Sequence, residues 1–227
     1  MKIKVVNPVA TDVWDQQQLR LLNLFKDSDT KIEWVNVKKG VTEIEQYYDE
    51  AFAIGPAVEE MVQAEKKAFD AVLMPCFGDV GLDAAKEALS IPVVGACEAS
   101  VHLASMLGRK FSILATTKKA AKSLGDLVCK YGLTPKLASI KTVGLSPLEF
   151  SREKERLKEA LLKNAKEAVE KDGADAIVLG CGGMAVASWL QEQIGVPVVE
   201  PMIAGLKIAE TFVKMQLAQS KQAFVKP

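Results

Sequence analysis

Short, β-branched apolar runs alternate along the chain with longer segments whose apolar positions recur at helical spacing. The runs predict strands near 2–6 (KIKVV), 32–37 (IEWVNV), 71–75 (AVLMP), 92–95 (PVVG), 111–115 (FSILA), 137–143, 176–180 (AIVLG) and 197–199. Helices fill the intervals, near 12–27, 43–67, 80–89, 99–107, 118–130, 147–171, 184–194 and 202–219. One of these helices carries signals for both of its ends. Ser146, Pro147 and Glu149 supply an N-cap, a first-turn proline and a capping-box carboxylate, and Gly173 supplies a left-handed stop. Between them Leu157, Leu161, Ala165, Ala168 and Val169 form one apolar stripe. Such alternation predicts an α/β fold of mainly parallel sheets with helices on both faces.

The pattern also repeats. "DAVLMPCFGD" at 70–79 and "DAIVLGCGGM" at 175–184 set Asp70 against Asp175, Cys76 against Cys181 and Gly78 against Gly183, each pair 105 positions apart. At the same offset and without a gap, Ile91-Pro92-Val93-Val94 falls on Val196-Pro197-Val198-Val199, and Glu87 on Glu192. The alternating strands at 2–6 and 110–114 each open a half, in a register shifted by a few residues. Two motifs joined by an ungapped spacer point to duplication. The expected organisation is a first α/β domain of 1–96 plus 204–227 and a second of 97–203, with the last helix returning to the first half. The two would be Rossmann-like, related by a pseudo-twofold, with the active site in the cleft between them.

Composition adds exclusions. With 49% hydrophobic and 26% charged residues among 227, a sizeable core is available. Lysine plus arginine equal aspartate plus glutamate, so the electrostatic footprint of a nucleic-acid binder is missing. No apolar run approaches the ~18 residues of a membrane span. The N-terminus enters a strand pattern with no signal-peptide core, so a cytoplasmic protein is expected. Cys76, Cys97, Cys129 and Cys181 form no C-x-x-C pair, and His102 is the single histidine, which argues against a metal site or a disulfide framework. Neither a metal nor a cofactor is expected.

Cys76 and Cys181 each close a predicted strand, and ligands of open α/β sheets bind outside the carboxyl ends of strands. Both also precede a predicted helix start, where backbone N–H groups favour a thiolate and Gly78, Gly182 and Gly183 allow close approach to a ligand. A lone free cysteine is usually a small buried hydrophobe. A matched pair has a chemical use: one thiolate removes a proton from a carbon next to a carbonyl, and the opposite thiol returns one to the other face. Cys97 has no such counterpart, since Met202 stands 105 positions on, and Cys129 would map beyond the chain. Both are expected to be structural.

The residues now in view resemble the aspartate/glutamate/hydantoin racemase superfamily, and within it the hydantoin/allantoin racemase branch. The resemblance covers most of the chain. It is carried by Pro75-Cys76-Phe77-Gly78-Asp79, Gly81-Leu82-Asp83-Ala84-Ala85, 91–95, Glu98-Ala99 and Leu179-Gly180-Cys181-Gly182-Gly183-Met184, with Ile44-Glu45 and Tyr48-Asp49-Glu50-Ala51 upstream. It implies cofactor-independent racemisation with Cys76 and Cys181 as acid and base, and ligand-facing roles for Asn7, Thr116 and Thr117. A homo-oligomer is compatible with it. The family often continues Asn-Pro with Asn and Thr or Ser, where this chain has Val9-Ala10-Thr11. Amino-acid racemases of the superfamily usually follow each cysteine with Asn or Thr. Phe77 and Gly182 stand there in this chain, which suits a planar, neutral cyclic amide such as a 5-substituted hydantoin or allantoin.

Two other readings compete: an aspartate/glutamate racemase or maleate-type cis–trans isomerase of the same superfamily, and a non-catalytic small-molecule sensor. His102 is expected to be structural or on the surface, and Glu98 to cap its helix or orient a ligand. Asp79 and Asp83 are expected to cap the helix that follows Cys76, Lys38-Lys39 and Lys118-Lys119 to be solvated, and Glu200-Pro201 to close the pocket or start the last helix.

Overall fold

The computed structural model describes all 227 residues, which form two compact units, 1–96 with 202–227 and 97–201. The first contains β1 (Lys2–Asn7), α1 (Asp15–Phe25), β2 (Lys31–Asn36), α2 (Tyr47–Lys66), β3 (Ala71–Met74), α3 (Leu82–Ala88) and β4 (Val93–Gly95). The second contains α4 (Ala96–Leu107), β5 (Phe111–Ala115), α5 (Lys118–Lys130), β6 (Leu137–Thr142), α6 (Lys154–Glu170), β7 (Ala176–Leu179), α7 (Ala187–Ile194) and β8 (Val198–Val199). Helix α8 (Pro201–Lys214) leads the chain back to the first unit.

Each unit has one four-stranded, wholly parallel sheet. The orders are β2-β1-β3-β4 and β6-β5-β7-β8, so corresponding strands hold corresponding places. The central strands β3, β5 and β7 are buried at every residue, which is why they read as unbroken apolar runs.

Hydrogen bonds repeat along with the strands. The Asp70 N–H donates to the Lys2 carbonyl at 2.8 Å, and the Asp175 N–H to the Lys110 carbonyl at 2.9 Å. Asp70 Oδ2 accepts the Lys2 N–H at 2.6 Å, while Asp175 Oδ2 accepts those of Arg109 and Lys110 at 2.8 and 3.1 Å. The N–H groups of Lys110 and then Arg109 hold the Asp175 carboxyl below the usual carboxylate range. Val72 to Pro92 and Ile177 to Pro197 form matching 2.9 Å backbone bonds. The twinned aspartates thus pin the start of one strand to its neighbour, at the sheet end opposite the cysteines.

Several helix starts differ from the sequence reading, those of α1, α2 and α7 by three or four residues. The Ser146 capping box exists, with the Ser146 N–H donating to Glu149 Oε2 at 2.7 Å, but it closes a short 3-10 turn at Pro147–Glu149. Phe150 then turns into the core beside Leu157 and Leu161, and α6 starts afresh at Lys154. Helix α4 begins at Ala96, directly on the end of β4 and earlier than expected. Helix α3 begins at Leu82, with Gly81 at its N-cap in the left-handed region (φ 69°).

Buried polar bonds dock α8. Glu210, only 2% exposed, accepts from Thr30 Oγ1 at 2.6 Å and from the Asp27 N–H at 2.8 Å. Lys207 Nζ bridges Glu210 Oε2 and Asp27 Oδ1 at 2.8 and 2.7 Å, and Lys214 pairs with Asp27 Oδ2. The hydrogen bonds from Lys207 and then Lys214 lower the Asp27 carboxyl to about 2. Because the folded value lies below the unfolded one, this contribution is complete above the ordinary carboxylate value and fades as pH falls toward the lowered one. Asp27→Asn is therefore expected to lower Tm at neutral pH, with the gap to the parent closing between about pH 4 and pH 2. Thermal melts across that range check it.

Candidate functional site

Cys76 follows β3 and Cys181 follows β7, each two positions beyond the strand's last residue. Each begins the same turn. The Asp79 N–H donates to the Cys76 carbonyl at 3.0 Å, and the Met184 N–H to the Cys181 carbonyl at 3.2 Å, three residues on in both cases. Neither cysteine is in a disulfide, both are half-buried, and each packs against the apolar core of its own unit. Cys97 is fully buried and Cys129 is exposed.

The expectation that each thiol abuts an α-helix N-terminus needs correction. Helix α3 starts six residues after Cys76, and Cys181 leads into a 3-10 turn, Gly182–Met184, with α7 starting at Ala187. The turns put glycine where closeness matters. A Cβ added at Gly78 would stand 3.6 Å from Cys76 Sγ, so glycine leaves that side of the sulfur uncovered.

Gly81, not Asp79, stands at the N-cap position of α3. Asp79 is instead buried with φ 47°, a left-handed conformation that Asp tolerates better than most residues. Its carboxylate fills the space over Gly95, where an added Cβ would lie 2.4 Å from Asp79 Oδ1. The second unit inverts this arrangement. At the 105 offset Asp79 becomes Met184 and Gly95 becomes Glu200, both buried. Each unit therefore keeps one buried carboxylate at the carboxyl end of its sheet, carried in the first by the turn and in the second by the residue just past β8. Asp83 does lie in the first turn of α3, and Pro201 does begin α8.

Asn7 ends β1, is 7% exposed, and donates its Nδ2 to Asn36 Oδ1 at 2.8 Å. Thr116, just past β5, is buried, and Thr117 caps α5 with a long 3.4 Å bond from the Ala120 N–H. Phe77 and Gly182 are buried, Gly183 half-buried. Cys76, Phe77, Gly78 and Asn7 thus lie at one end of the first sheet, and Cys181, Gly182, Gly183, Thr116 and Thr117 at the matching end of the second. His102 is exposed on α4, its Nδ1 2.8 Å from the Glu98 carbonyl oxygen, and its ring is stacked obliquely on Tyr131. The lysines at 38–39 and 118–119 are exposed. No group of three His, Cys, Asp or Glu side chains is arranged to hold a metal ion, and no helix is long and apolar enough to cross a membrane.

Comparison with known proteins settles the family. A model of the Asp/Glu/hydantoin racemase family matches residues 3–209. The chain belongs to the Asp/Glu/hydantoin racemase family. Among curated members it is 41% identical over 222 residues to a hydantoin racemase of a Pseudomonas sp. strain, covering 97% of this chain and 89% of that one. A hydantoin racemase of Paenarthrobacter aurescens is 38% identical over 230 residues, covering 100% and 98%. Among solved structures, allantoin racemase from Klebsiella pneumoniae superposes with a TM-score of 0.95 at 30% identity, covering 100% of this chain and 94% of that one.

Side chains absent from the sequence reading also belong to this end of the racemase-family sheet. Asp15, Trp34 and Asn36 join Asn7 in one hydrogen-bonded group. The available signal was an asparagine closing each of the first two strands, at 7 and 36, which the parallel register makes direct partners.

Proposed function

We propose that this protein is a cofactor-independent racemase acting on a cyclic amide, a 5-substituted hydantoin or allantoin, with Cys76 and Cys181 as its acid–base pair. The observation that carries the reading is the equivalence of the two thiols: each leaves the corresponding strand of its sheet and opens the same hydrogen-bonded turn. Racemisation needs this equivalence, because the base for one enantiomer is the acid for the other. A hydrolase with a single nucleophile has no use for it.

The chemistry balances without a redox partner. One cysteine, as thiolate, takes the α-proton; the C–H electron pair delocalises onto the adjacent carbonyl oxygen as an enolate. The other cysteine, as thiol, protonates the opposite face and is left as thiolate. The reverse reaction exchanges the roles. Backbone N–H groups of the two glycine-containing turns are the proposed partners for the ring carbonyls. Family membership and the named hydantoin and allantoin racemases support the substrate class.

The test is to incubate single enantiomers of allantoin and of several 5-alkyl hydantoins with the protein in heavy water. Optical rotation is expected to decay as deuterium enters the α-position. Turnover of aspartate, glutamate or maleate, with none of any hydantoin, would overturn the substrate class, and binding without chemistry would favour a sensor.

A further inference from the structure

The amide at the end of β1 has an orientation that the chemistry of its neighbours dictates. Asn36 Nδ2 lies 2.6 Å from Asp15 Oδ2, and Asn36 Oδ1 lies 2.9 Å from Trp34 Nε1 and 2.8 Å from Asn7 Nδ2. A carboxylate only accepts and an indole N–H only donates, so Asn36 has one orientation that satisfies both. Its carbonyl oxygen then faces Asn7, which must answer with its NH2. Exchanging O and N in either asparagine would set two acceptors or two donors against each other. Asx orientation is ordinarily inferred from the whole network; in this group two unambiguous neighbours determine it.

The direction follows from the sheet. Asn7 and Asn36 are register partners, and β1 lies between β2 and β3. The NH2 of Asn7 is held toward Asn36 on β2, so Oδ1 is turned away from that contact, and the strand on the other side of β1 is β3, which leads into Cys76. Ligands of parallel sheets bind beyond the carboxyl ends of the strands. An amide locked this way offers an acceptor to a substrate at that end.

We propose that Asp15 and Trp34, acting through Asn36, are positioning residues that lock Asn7 with Oδ1 toward the Cys76 strand to accept an N–H of the substrate ring. This rests on the cyclic-amide reading above and deepens it. A hydantoin ring carries two N–H donors. Maleate carries no N–H and would set acceptor against acceptor; the ammonium of aspartate or glutamate does donate, so the device discriminates against the dicarboxylic acid and not against the amino acids. An unpaired buried acceptor is costly, so the device selects as well as binds.

The experiment uses parent hydantoin, which binds without stereochemical change, beside 1-methylhydantoin and 3-methylhydantoin. Binding of all three is measured by calorimetry on the intact protein and on an Asp15→Asn/Trp34→Phe double variant. One of the two methylations is expected to weaken binding by about tenfold or more in the parent protein. In the double variant, where both asparagines can rotate, that penalty is expected to fall to within about threefold. A steric role alone would leave the penalty unchanged, because the Asn7 side chain is still present. Equal binding of the three rings to the parent protein, no hydantoin binding, or an undiminished penalty in the variant overturns the proposal. Nitrogen-selective binding without racemisation would sink the catalytic reading and leave the lock standing; racemisation without nitrogen selectivity would do the reverse.

Discussion

Cys76→Ser and Cys181→Ser are each expected to stop inversion while leaving half of the proton chemistry in place. In either variant one thiol survives, and under the proposed two-base scheme it would serve the α-proton of only one enantiomer. In heavy water the variant that keeps Cys181 is expected to exchange the α-proton of one hand of a 5-alkyl hydantoin. The variant that keeps Cys76 is expected to exchange the other hand. Loss of a positioned acid or base costs about 10²–10⁴ in rate, and serine is a much weaker acid than cysteine, so inversion should fall by at least that range. Chiral chromatography follows inversion and proton NMR follows exchange. Full inversion in either variant, or exchange of the same hand in both, would reject the two-base scheme.

Gly180→Ala is expected to damage both the packing of the second unit and the placement of Cys181. Gly180 lies between the end of β7 and Cys181, and its N–H donates to the Leu114 carbonyl at 2.8 Å. An added Cβ would stand 2.7 Å from that same carbonyl oxygen and 3.1 Å from the Ala115 Cα. Both obstacles are backbone of β5, so no side-chain rotation relieves them. Either β5 and β7 part locally or the chain before Cys181 moves. Overpacking of this kind typically costs about 1–3 kcal/mol, and a displacement near 1 Å can cost about 10²-fold in rate. The expected result is a lower midpoint in urea unfolding together with a racemisation rate reduced well beyond the loss of folded protein. Parent-like stability and activity would mean that β5 and β7 absorb the methyl.

The paired thiols are legible in the sequence because the repeat keeps their spacing. Strands β3 and β7 cover positions 105 apart without slippage, and so do the aspartates that pin them. The roles of those aspartates were not visible. Asp70 and Asp175 accept N–H groups at the far end of each sheet, a partner choice that depends on which strand lies alongside. The carboxylate exchange between Asp79 with Gly95 and Met184 with Glu200 was half visible. The offset pairs the positions, but only burial and the close approach to Gly95 reveal that the two carboxylates answer one another. The Ser146 capping box illustrates the opposite failure. The local signal was right, yet Phe150 entering the core ended the turn that it capped.

By itself the sequence determined what depends on neighbours along the chain: the strand and helix periods, the glycine turns after the two cysteines and the repeat that equates them. These follow from apolar spacing and backbone sterics, which act over a few residues. Tertiary structure alone decided which polar groups meet. Asp15, Trp34, Asn36 and Asn7 become one network because β1 and β2 pair in parallel register beside α1. Hydrogen-bond complementarity is a contact property, and contacts between distant residues exist only once the sheet has formed.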